Sequence, residues 1–431
     1  MKIGLLGCGS VGGALVELLD ERRATIEAAV GVDLELAAVA VRSTSKDRGG
    51  RLDVSLLTTD AEQVVADPDI DLIVEVIGGI EPARSLIQTA LKNGKPVVTA
   101  NKELLANVGA ELYATADENG VDLLFEAAAA GAIPIVRPLR ESLLGEDVTR
   151  VMGILNGTTN YILTRMTEDG ASYGDALSEA QRLGYAERDP TADVEGYDAG
   201  AKAAIMASLA FGANVVAGDV YHEGISNITS ADIDFAARLG FAIKLLAITE
   251  RVGEEDGRPV IAVRVHPAMI PVSHPLSGVR DSFNAVFIEG GAAGELMFYG
   301  RGAGGRPTAS AVLGDVIDAA TNKAAGIGAV LGALVRPIIQ PIDELHSAYY
   351  LNLEVIDRPG VLADVASIFG SHKVSIRSME QEGLGEEARL IFITHQARER
   401  DVRATLQELR SLDSVRQVGS LLRVVGDDAS T

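Results

Sequence analysis

The sequence predicts an α/β protein of three parts: a parallel sheet flanked by helices, then an α+β domain, then a small βαββαβ module. In the first part short apolar strands alternate with helices, which is typical of a parallel sheet. In the second part strands follow one another without helices, which indicates an antiparallel sheet. The third part has the element order of a ferredoxin-like fold. The predicted boundaries are 1–133 for the first domain with a return at about 301–330, 134–300 for the second domain, 331–347 for a linker and 348–426 for the module.

The composition is that of an ordinary soluble enzyme, with 47% hydrophobic and 23% charged residues in a chain of 431. A formal net charge of −23 argues against nucleic acid or an anionic membrane surface as a partner. Cys8 is the only cysteine, which excludes a disulfide framework and a cysteine zinc site within one chain. Because no apolar run reaches the ~18 residues of a membrane span and Met1 leads directly into a strand, we expect a cytoplasmic protein.

A glycine-rich turn follows the first predicted strand, residues 2–7, and a helix is predicted from residue 12 to about 29. In GxGxxG spacing the first glycine permits a tight turn, the second lets a pyrophosphate approach the backbone, and the third lets the helix pack on the strand. The phosphate charge then lies at a helix N-terminus. The strand before and the helix after favour a Rossmann-type dinucleotide site over an empty turn. The predicted phosphate loop comprises Gly7, Gly9, Ser10, Val11 and Gly12.

The residues after the second predicted strand, 34–41, bear on the choice of cofactor. An acidic residue there binds the ribose 2′-hydroxyl of NAD, whereas an arginine accommodates the 2′-phosphate of NADP. This chain has Arg42, Ser43 and Lys46 at that place, so NADP is favoured and NAD stays open. Lys46 fits a solvated loop almost equally well.

Two later strand ends carry candidate chemistry, because ligands of such sheets bind outside the carboxyl ends of the strands. Gly78-Gly79 follows one strand, and Asn101-Lys102 follows the next; a lysine that only begins a helix is the alternative. The apolar, glycine-broken run after Glu126 leads to a helix predicted at about Pro134, and its carbonyls could bind a monovalent cation. The elements predicted here are strands at 70–77, 95–100 and 121–126 and helices at 82–93 and 103–119.

The most informative stretch is 184–213, in which an acidic first half leads into a nearly all-apolar helix. Asp198 and Lys202 lie one turn apart on that helix and therefore share a face. As a surface ion pair they would contribute roughly 0.2–0.5 kcal/mol. A buried lysine and carboxylate are costly unless they are paired or used, and a desolvated lysine can act as a general acid or base.

The remaining elements complete the two later parts. Asn156-Gly157 is predicted as a turn before a helix capped by Thr158 or Thr159, and a glycine-rich segment from about 301 is expected to return to the first domain. The C-terminal module is expected to be self-contained, with a disordered tail at 426–431. The predicted elements are a helix at 172–183, strands near 241–252, 258–266, 283–289 and 294–300, and in the module strands at 348–356, 373–381, 388–395 and 415–425 with helices at 361–370 and 399–411.

Five motifs together resemble homoserine dehydrogenase over about residues 1–335. They are GCGSVG, VTANKELLA (98–106), GILNGTTNYIL (153–163), GYAERDPTADVEGYDAGAKAAI (184–205) and GAGGRPTASAVLGDVI (302–317). The Asn-Gly-Thr-Thr-Asn block and the Asp-x-x-x-Lys helix are far more specific than GxGxxG. The C-terminal module, with YYLNLEVIDRPGVLADVASIFG, is similar to an ACT domain, a module that senses small molecules in amino-acid enzymes.

The resemblance implies reversible, NAD(P)-dependent interconversion of L-aspartate 4-semialdehyde and L-homoserine, in threonine, methionine and isoleucine synthesis. It implies that Lys202 gives a proton to the carbonyl oxygen, that Asp198 orients substrate and lysine, and that Lys102 is a second catalytic lysine. Glu187 would bind the substrate amino group. The family pattern also implies substrate contacts for Tyr185, Asn156, Gly157 and Thr158, cofactor contacts for Gly78, Thr99, Lys102 and Gly304, and a sodium ion held by backbone carbonyls of Glu126, Ala129, Gly131 and Ile133. Cys8 and Arg306 depart from the residues usual in the family.

Three other functions fit less well. A dehydrogenase that makes an acyl phosphate needs a thiolate nucleophile, and Cys8 lies in the phosphate loop. A 2-hydroxyacid dehydrogenase with an ACT domain needs a catalytic histidine, for which His222 is the only candidate. A sensor that only binds nucleotide does not need Asp198 and Lys202.

The ACT resemblance implies feedback inhibition by threonine, with the turn 357–362 as the predicted effector end; an ordinary turn in an oligomerising module is the alternative. A homodimer or homotetramer is expected, because both the family and ACT modules tend to pair.

Overall fold

The structure is a computed structural model that describes residues 1–46, 52–328, 332, 334–383 and 385–426. It contains two sheets, one of six strands and one of twelve. The predicted α/β class with three parts is confirmed. Apart from Gly426, the tail predicted to be disordered lies outside the described residues. None of the described helices is both long and apolar enough to cross a bilayer.

The nucleotide-binding part is a parallel sheet of order β3-β2-β1-β4-β5-β6 with helices on its faces. The two-residue β3 was not predicted, because a strand this short has no periodicity to detect. The strand order changes direction between β1 and β4, which is where ligands bind in such sheets. The elements are β1 Lys2–Leu6, α1 Ser10–Val30, β2 Glu35–Ala40, β3 Leu57–Thr58, α2 Ala61–Ala66, β4 Leu72–Glu75, α3 Ala83–Lys92, β5 Val97–Thr99, α4 Lys102–Asn119 and β6 Leu123–Leu124.

The second part is an antiparallel sheet of order β12-β11-β7-β9-β10, covered on one face by α9 and its neighbouring helices. The helix predicted at about Pro134 is instead a short helical segment that becomes a π-helix at Pro138–Ser142. The elements are α5 Glu126–Ala130, β7 Val148–Ile154, α6 Gly157–Asp169, α7 Tyr173–Arg182, α8 Thr191–Val194, α9 Tyr197–Phe211, β8 Tyr221–His222, α10 Ser230–Arg238, β9 Phe241–Glu255, β10 Arg258–Pro271, β11 Phe283–Gly290 and β12 Gly294–Arg301.

The chain then returns to the first part. Helix α11, Gly305–Ala325, packs along α1 and buries Ala309, Val312 and Val316 in the same apolar cluster as β1 and β2. This contact brings the loop that precedes α11 against the phosphate loop.

The C-terminal module has the predicted βαββαβ order, but it is not self-contained. Its last strand pairs in parallel with β10, through Ala268 opposite Arg423 and Met269 opposite Val424, so the two sheets are one. The face of the module's sheet that its own helices leave uncovered packs on α10. The elements are β13 Ile338–Ile339, β14 His346–Ile356, α12 Val361–Ser371, β15 Ile376–Gly383, β16 Glu387–Thr394, β17 Ala397–Arg398, α13 Glu399–Leu409 and β18 Val415–Val424.

Candidate active site

The carboxylate of Asp198 joins two lysines that come from different parts of the chain. Lys202 Nζ donates to Asp198 Oδ2 at 2.8 Å and to the carbonyl of Leu155 at 2.7 Å. Lys102 Nζ, at the start of α4, lies 2.5 Å from Asp198 Oδ1. The three residues predicted to be catalytic are therefore in direct contact, at the place where the nucleotide-binding sheet meets helix α9.

Burial and the two lysines act in opposite directions on the charge of Asp198. Lys202 is 7% exposed and lies on a helix of mostly small and apolar residues, so its surroundings are apolar. Burial opposes the charge on Asp198, but attraction from Lys202 and Lys102 outweighs it and holds the pKa of Asp198 well below its ordinary value. Burial also opposes the charge on Lys102, but Asp198 raises the pKa of that lysine overall. At neutral pH the cluster contains an ionised carboxylate.

Helix α6 begins beside this cluster. Asn156 Oδ1 accepts from the Thr159 N–H at 2.9 Å, so Asn156 is the N-cap. The prediction that Thr158 or Thr159 caps the helix is wrong, because the helix already begins at Gly157 and only Asn156 has extended backbone before it. Asn156 Nδ2 donates to Asp198 Oδ2 at 2.9 Å, so the cap also orients the Asp198 carboxylate.

Two carboxylates of the site were not predicted. Asp193 Oδ1 accepts from Asn156 at 2.7 Å, and burial is the main cause that raises the pKa of Asp193. Glu75 is fully buried at the end of β4 and accepts from Thr99 Oγ1 at 2.6 Å. The sequence contains a signal for Glu75, because it is an acidic residue in an otherwise apolar predicted strand. Asp193 lies in a segment with several carboxylates, so nothing in the sequence distinguishes it.

The ends of β4 and β5 are tied together at the predicted ligand edge. Asn101 accepts from the Leu104 N–H at 3.1 Å as the N-cap of α4, and its Nδ2 donates to the carbonyl of Gly79 at 2.6 Å. Gly78 and Gly79 both have positive φ, 84° and 76°, a conformation that favours glycine. These contacts position Lys102 toward α9.

The phosphate loop fits a dinucleotide. Gly7 has φ 97°, and a Cβ there would lie 2.7 Å from the carbonyl oxygen of Val76. A Cβ at Gly12 would lie 2.3 Å from the carbonyl oxygen of Gly7, whereas one at Gly9 would meet nothing within 4 Å. The second glycine therefore leaves open space for a pyrophosphate, and α1 begins at Ser10, so Ser10 and Val11 offer helix N-terminal N–H groups.

Two other predicted cofactor residues lie on either side of this loop. Arg42 is exposed two residues after β2. Gly304 has φ 121° and precedes α11, and a Cβ on its neighbour Gly305 would lie 2.8 Å from the carbonyl oxygen of Ser10. The loop predicted to face the nicotinamide thus packs directly on the phosphate loop.

The predicted cation loop is built around Glu126. Its carboxylate accepts the N–H groups of Ile135, of Val136 at 2.7 Å and of Arg137 at 3.0 Å, so it serves the start of the next helix. Within the described ranges no cluster of three His, Cys, Asp or Glu side chains is placed to hold a metal ion. A cation here therefore depends on the backbone carbonyls of Glu126, Ala129, Gly131 and Ile133, which stays a prediction. Gly131 packs on the loop that precedes α11, since a Cβ there would lie 2.2 Å from the Gly302 carbonyl oxygen.

The predicted substrate segment lies against α6. Thr158 Oγ1 donates to the carbonyl of Tyr185 at 2.6 Å, and the Tyr185 and Tyr161 rings are 4.9 Å apart. Glu187 is exposed, and its carbonyl accepts from Gln181 at 3.0 Å. The structure thus connects Tyr185 to Thr158, while a role for the Glu187 carboxylate stays a prediction.

Comparison with known proteins agrees with this architecture. The family model for homoserine dehydrogenase matches residues 134–317, that for its NAD-binding domain matches 7–126, and that for the ACT domain matches 349–414. The chain is 51% identical to the homoserine dehydrogenase of Corynebacterium glutamicum, over 99% of this chain and 96% of that protein.

Two solved structures give the same result. The structure of a homoserine dehydrogenase from Thiobacillus denitrificans superposes with a TM-score of 0.92 at 41% identity, covering 98% of each chain. A hyperthermophilic archaeal homoserine dehydrogenase in complex with NADPH matches with a TM-score of 0.61 at 30% identity, over 74% of this chain and 97% of that one.

Proposed function

The chain belongs to the homoserine dehydrogenase family, and we propose that it interconverts L-aspartate 4-semialdehyde and L-homoserine with NADP as the preferred cofactor. The observation that carries this proposal is the Asp198 carboxylate held between Lys202 and Lys102. By the family resemblance, the reaction belongs to threonine, methionine and isoleucine synthesis.

Lys202 is the proton donor for the carbonyl oxygen of the semialdehyde. An ammonium group has three N–H donors, and Asp198 and Leu155 take two of those on Lys202. The third is available to the substrate oxygen, which gains negative charge as the carbonyl is reduced. A positioned ammonium in a buried site stabilises that charge and then supplies the proton. Asp198 fixes the direction of the Lys202 side chain.

Lys102 places a second positive charge on the other carboxylate oxygen of Asp198. It is 45% exposed, so it faces the open side of the site, where substrate arrives. We assign it to substrate contact and to charge balance around the developing oxyanion.

The nicotinamide cofactor, when bound, supplies or accepts the hydride. Gly7, Gly9, Ser10, Val11 and Gly12 would hold its pyrophosphate. Gly78 and Gly304 would line the path from that loop to the catalytic lysines, which is supported by the contact of the loop before α11 with Ser10. Thr99 is proposed as a further cofactor residue, although it is fully buried and its hydroxyl donates to Glu75.

Glu187 binds the ammonium of the amino-acid substrate, and Tyr185, Asn156, Gly157 and Thr158 shape the pocket around it. A carboxylate suits a substrate ammonium because charge-assisted hydrogen bonds are stronger than neutral ones. The hydrogen bond from Thr158 to the Tyr185 carbonyl supports this, because it fixes the segment that carries Glu187 on α6.

The direct test is absorbance at 340 nm with purified protein, L-homoserine and either NADP or NAD. We expect reduction with both and a larger kcat/KM for NADP. Absence of reduction with either cofactor, for folded protein with sodium or potassium present, would contradict the proposed reaction.

The preference for NADP is assigned to Arg42. Arg42→Ala is expected to raise the KM for NADP about tenfold and to leave the KM for NAD within twofold, since the 2′-phosphate is the only group that distinguishes the two cofactors. Equal increases in the KM for NADP and for NAD would contradict the assignment of the NADP preference to Arg42.

A sodium ion held by the carbonyls of Glu126, Ala129, Gly131 and Ile133 is proposed as a structural cofactor. Gly131 is packed against Gly302, so a cation in this loop would stabilise the neighbouring nicotinamide loop. Replacing sodium with tetramethylammonium should then lower cofactor affinity; unchanged affinity would argue against the ion.

Threonine is proposed as an inhibitor that binds at the 357–362 end of the ACT domain, and a homodimer or homotetramer as the assembly. Initial rates against threonine concentration, calorimetric threonine binding and light scattering test these points. A protein that neither binds threonine nor responds to it would have a different effector.

A further inference from the structure

The coupling segment, residues 221–224, packs directly on the start of the catalytic helix. The imidazole of His222 lies on the backbone of Gly200, where a Cβ would come within 2.1 Å of Nε2. Gly200 stands between Asp198 and Lys202 in the chain. The His222 ring also lies 5.0 Å from that of Tyr197, the first residue of α9. A displacement of the segment would therefore push against the helical turn that carries Asp198 and Lys202.

A second set of contacts extends this surface toward the acidic substrate segment. A Cβ on Gly224 would lie 2.4 Å from the carbonyl oxygen of Val194 and 2.3 Å from a carboxylate oxygen of Glu195. The Ile225 N–H donates to the carbonyl of Val194 at 2.8 Å. Gly196, which precedes α9 with φ 84°, would place a Cβ 3.6 Å from the carbonyl oxygen of Glu223. The segment is thus in close backbone contact with both sides of the entry to α9.

Two residues of the coupling segment, Tyr221 and Glu223, are held from the other side by the ACT domain. Arg423 on β18, which is 1% exposed, donates to both oxygens of the Glu223 carboxylate at 2.8 Å. Arg423 also donates to Glu399 on α13, so the guanidinium is held within the ACT domain as well. Arg403 of α13 donates to the Tyr221 hydroxyl at 2.6 Å, and that hydroxyl donates to Glu223.

We propose that the coupling segment transmits the state of the ACT domain to the catalytic pair, and that Glu223 and His222 are the positioning residues of this connection. His222 ends strand β8 and Glu223 follows it directly, so the ACT domain holds one residue and the other touches α9. A bidentate guanidinium–carboxylate contact fixes direction as well as distance. Glu223 also borders a cavity of about 960 Å³ between the two domains, which leaves space for its side chain to move.

A second contact between the two domains does not lead to the catalytic helix. Asp232 in α10 accepts from Asn352 at 2.7 Å and from Ser420 at 2.8 Å, both in the ACT domain. These bonds lead to α10 and not to α9. Ser420→Ala is therefore a matched control, because it removes a hydroxyl that donates to Asp232 and to the Asn227 carbonyl and leaves the coupling segment in place.

The test compares wild type, Glu223→Gln and Ser420→Ala as full chains, with two readouts. Glu223→Gln keeps the shape of the side chain and leaves Arg423 paired with Glu399. We expect the threonine concentration that halves the rate to rise at least tenfold in Glu223→Gln, with the threonine Kd from calorimetry changed less than threefold. Ser420→Ala should match wild type. Loss of coupling without loss of binding is the signature of a connection between two sites.

The second readout needs no effector, because only the choice of threonine rests on the regulation proposed above. Hydrogen exchange followed by mass spectrometry should show at least threefold faster exchange in peptides containing residues 197–203 for Glu223→Gln, and no change for Ser420→Ala. If wild type does not respond to threonine while this exchange difference is present, the effector is wrong and the connection stands. Unchanged exchange in Glu223→Gln overturns the connection, as does equal inhibition of Glu223→Gln and wild type by threonine when wild type is inhibited.

Discussion

The chemical environment of Lys202 is created by residues that the fold brings into contact with it. Lys202 is buried in an alanine-rich helix, yet Asp198 and a backbone carbonyl keep two of its N–H groups bonded. The sequence predicts this pair from its spacing, because four residues is a local relation. The sequence also predicts Lys102 as a strand-end residue, but the 2.5 Å contact with Asp198 depends on the docking of two domains.

Lys202→Met is expected to lower kcat by roughly 10²–10⁴-fold, the usual contribution of a general acid. The side chain keeps its volume, so NADPH binding followed by fluorescence should stay within twofold of wild type. Lys92→Ala, at an exposed helix end, is the control and should keep full activity. A Lys202→Met enzyme with more than a tenth of wild-type kcat would exclude the proton-donor role.

Asp315 is expected to make the stability of the folded protein depend on pH. Burial is the main cause that raises the pKa of Asp315 to about 7; repulsion from the Glu126 carboxylate adds to it, and the Glu126 N–H and Arg137 offset it only partly. The pKa of Asp315 in the folded state lies above its value in the unfolded state. The contribution of Asp315 to the free energy of unfolding is therefore fully present below about pH 4 and is lost as pH rises through about 7.

Asp315→Asn should therefore gain stability relative to wild type by about 2–3 kcal/mol between pH 5 and pH 8, measured as the difference in free energy of unfolding in urea. Asp20→Asn, at an exposed position of α1, should follow wild type at every pH. A difference between Asp315→Asn and wild type that does not vary with pH would show that Asp315 ionises normally in the folded state.

At the scale of single elements, the strand–turn–helix of the phosphate loop forms as its sequence predicts, and Gly7 and Gly12 each make a close backbone contact that leaves no room for a Cβ. The cap of α6 does not form as predicted, since Asn156 and two threonines are all good caps and the choice depends on which residue keeps an extended backbone. That choice is coupled to the Asn156 contact with Asp198, which is not local.

Gly12→Ala tests the phosphate loop. The added Cβ would meet the Gly7 carbonyl oxygen at 2.3 Å, so the turn must widen, and the KM for NADP should rise at least tenfold. Gly13→Ala is the matched control, because a Cβ there meets nothing within 4 Å and alanine favours helix. Equal cofactor affinity in the two variants would contradict the close packing of this turn.

At the scale of the whole molecule, the ACT domain is part of the catalytic domain's sheet and not a separate appendage. Tyr350, Ile391 and Ile393 lie in the same apolar cluster as Phe235 of α10. The order of its elements was predictable from the sequence. Its attachment was not, because the two pairs between β10 and β18 join residues more than 150 positions apart.

Truncation after residue 340 is therefore expected to expose this cluster and to lower Tm by more than about 10 °C, or to give aggregated protein, since an apolar face and a strand edge lose their cover. Phe235→Ala, on the α10 side of the same contact, should lower Tm by a smaller amount in the full chain. A truncated protein with wild-type Tm would show that the two domains are energetically independent.

The sequence by itself determined the fold class, the phosphate loop and the Asp198–Lys202 pair, because alternation of elements, glycine spacing and helix periodicity act over a few residues. Only the tertiary structure decided that Lys102 shares the carboxylate of Asp198, that Glu75 and Asp193 belong to the site, and that Arg423 reaches Glu223. These contacts join residues from about 24 to 200 positions apart. Their geometry depends on how helices and sheets pack, and no local pattern encodes it.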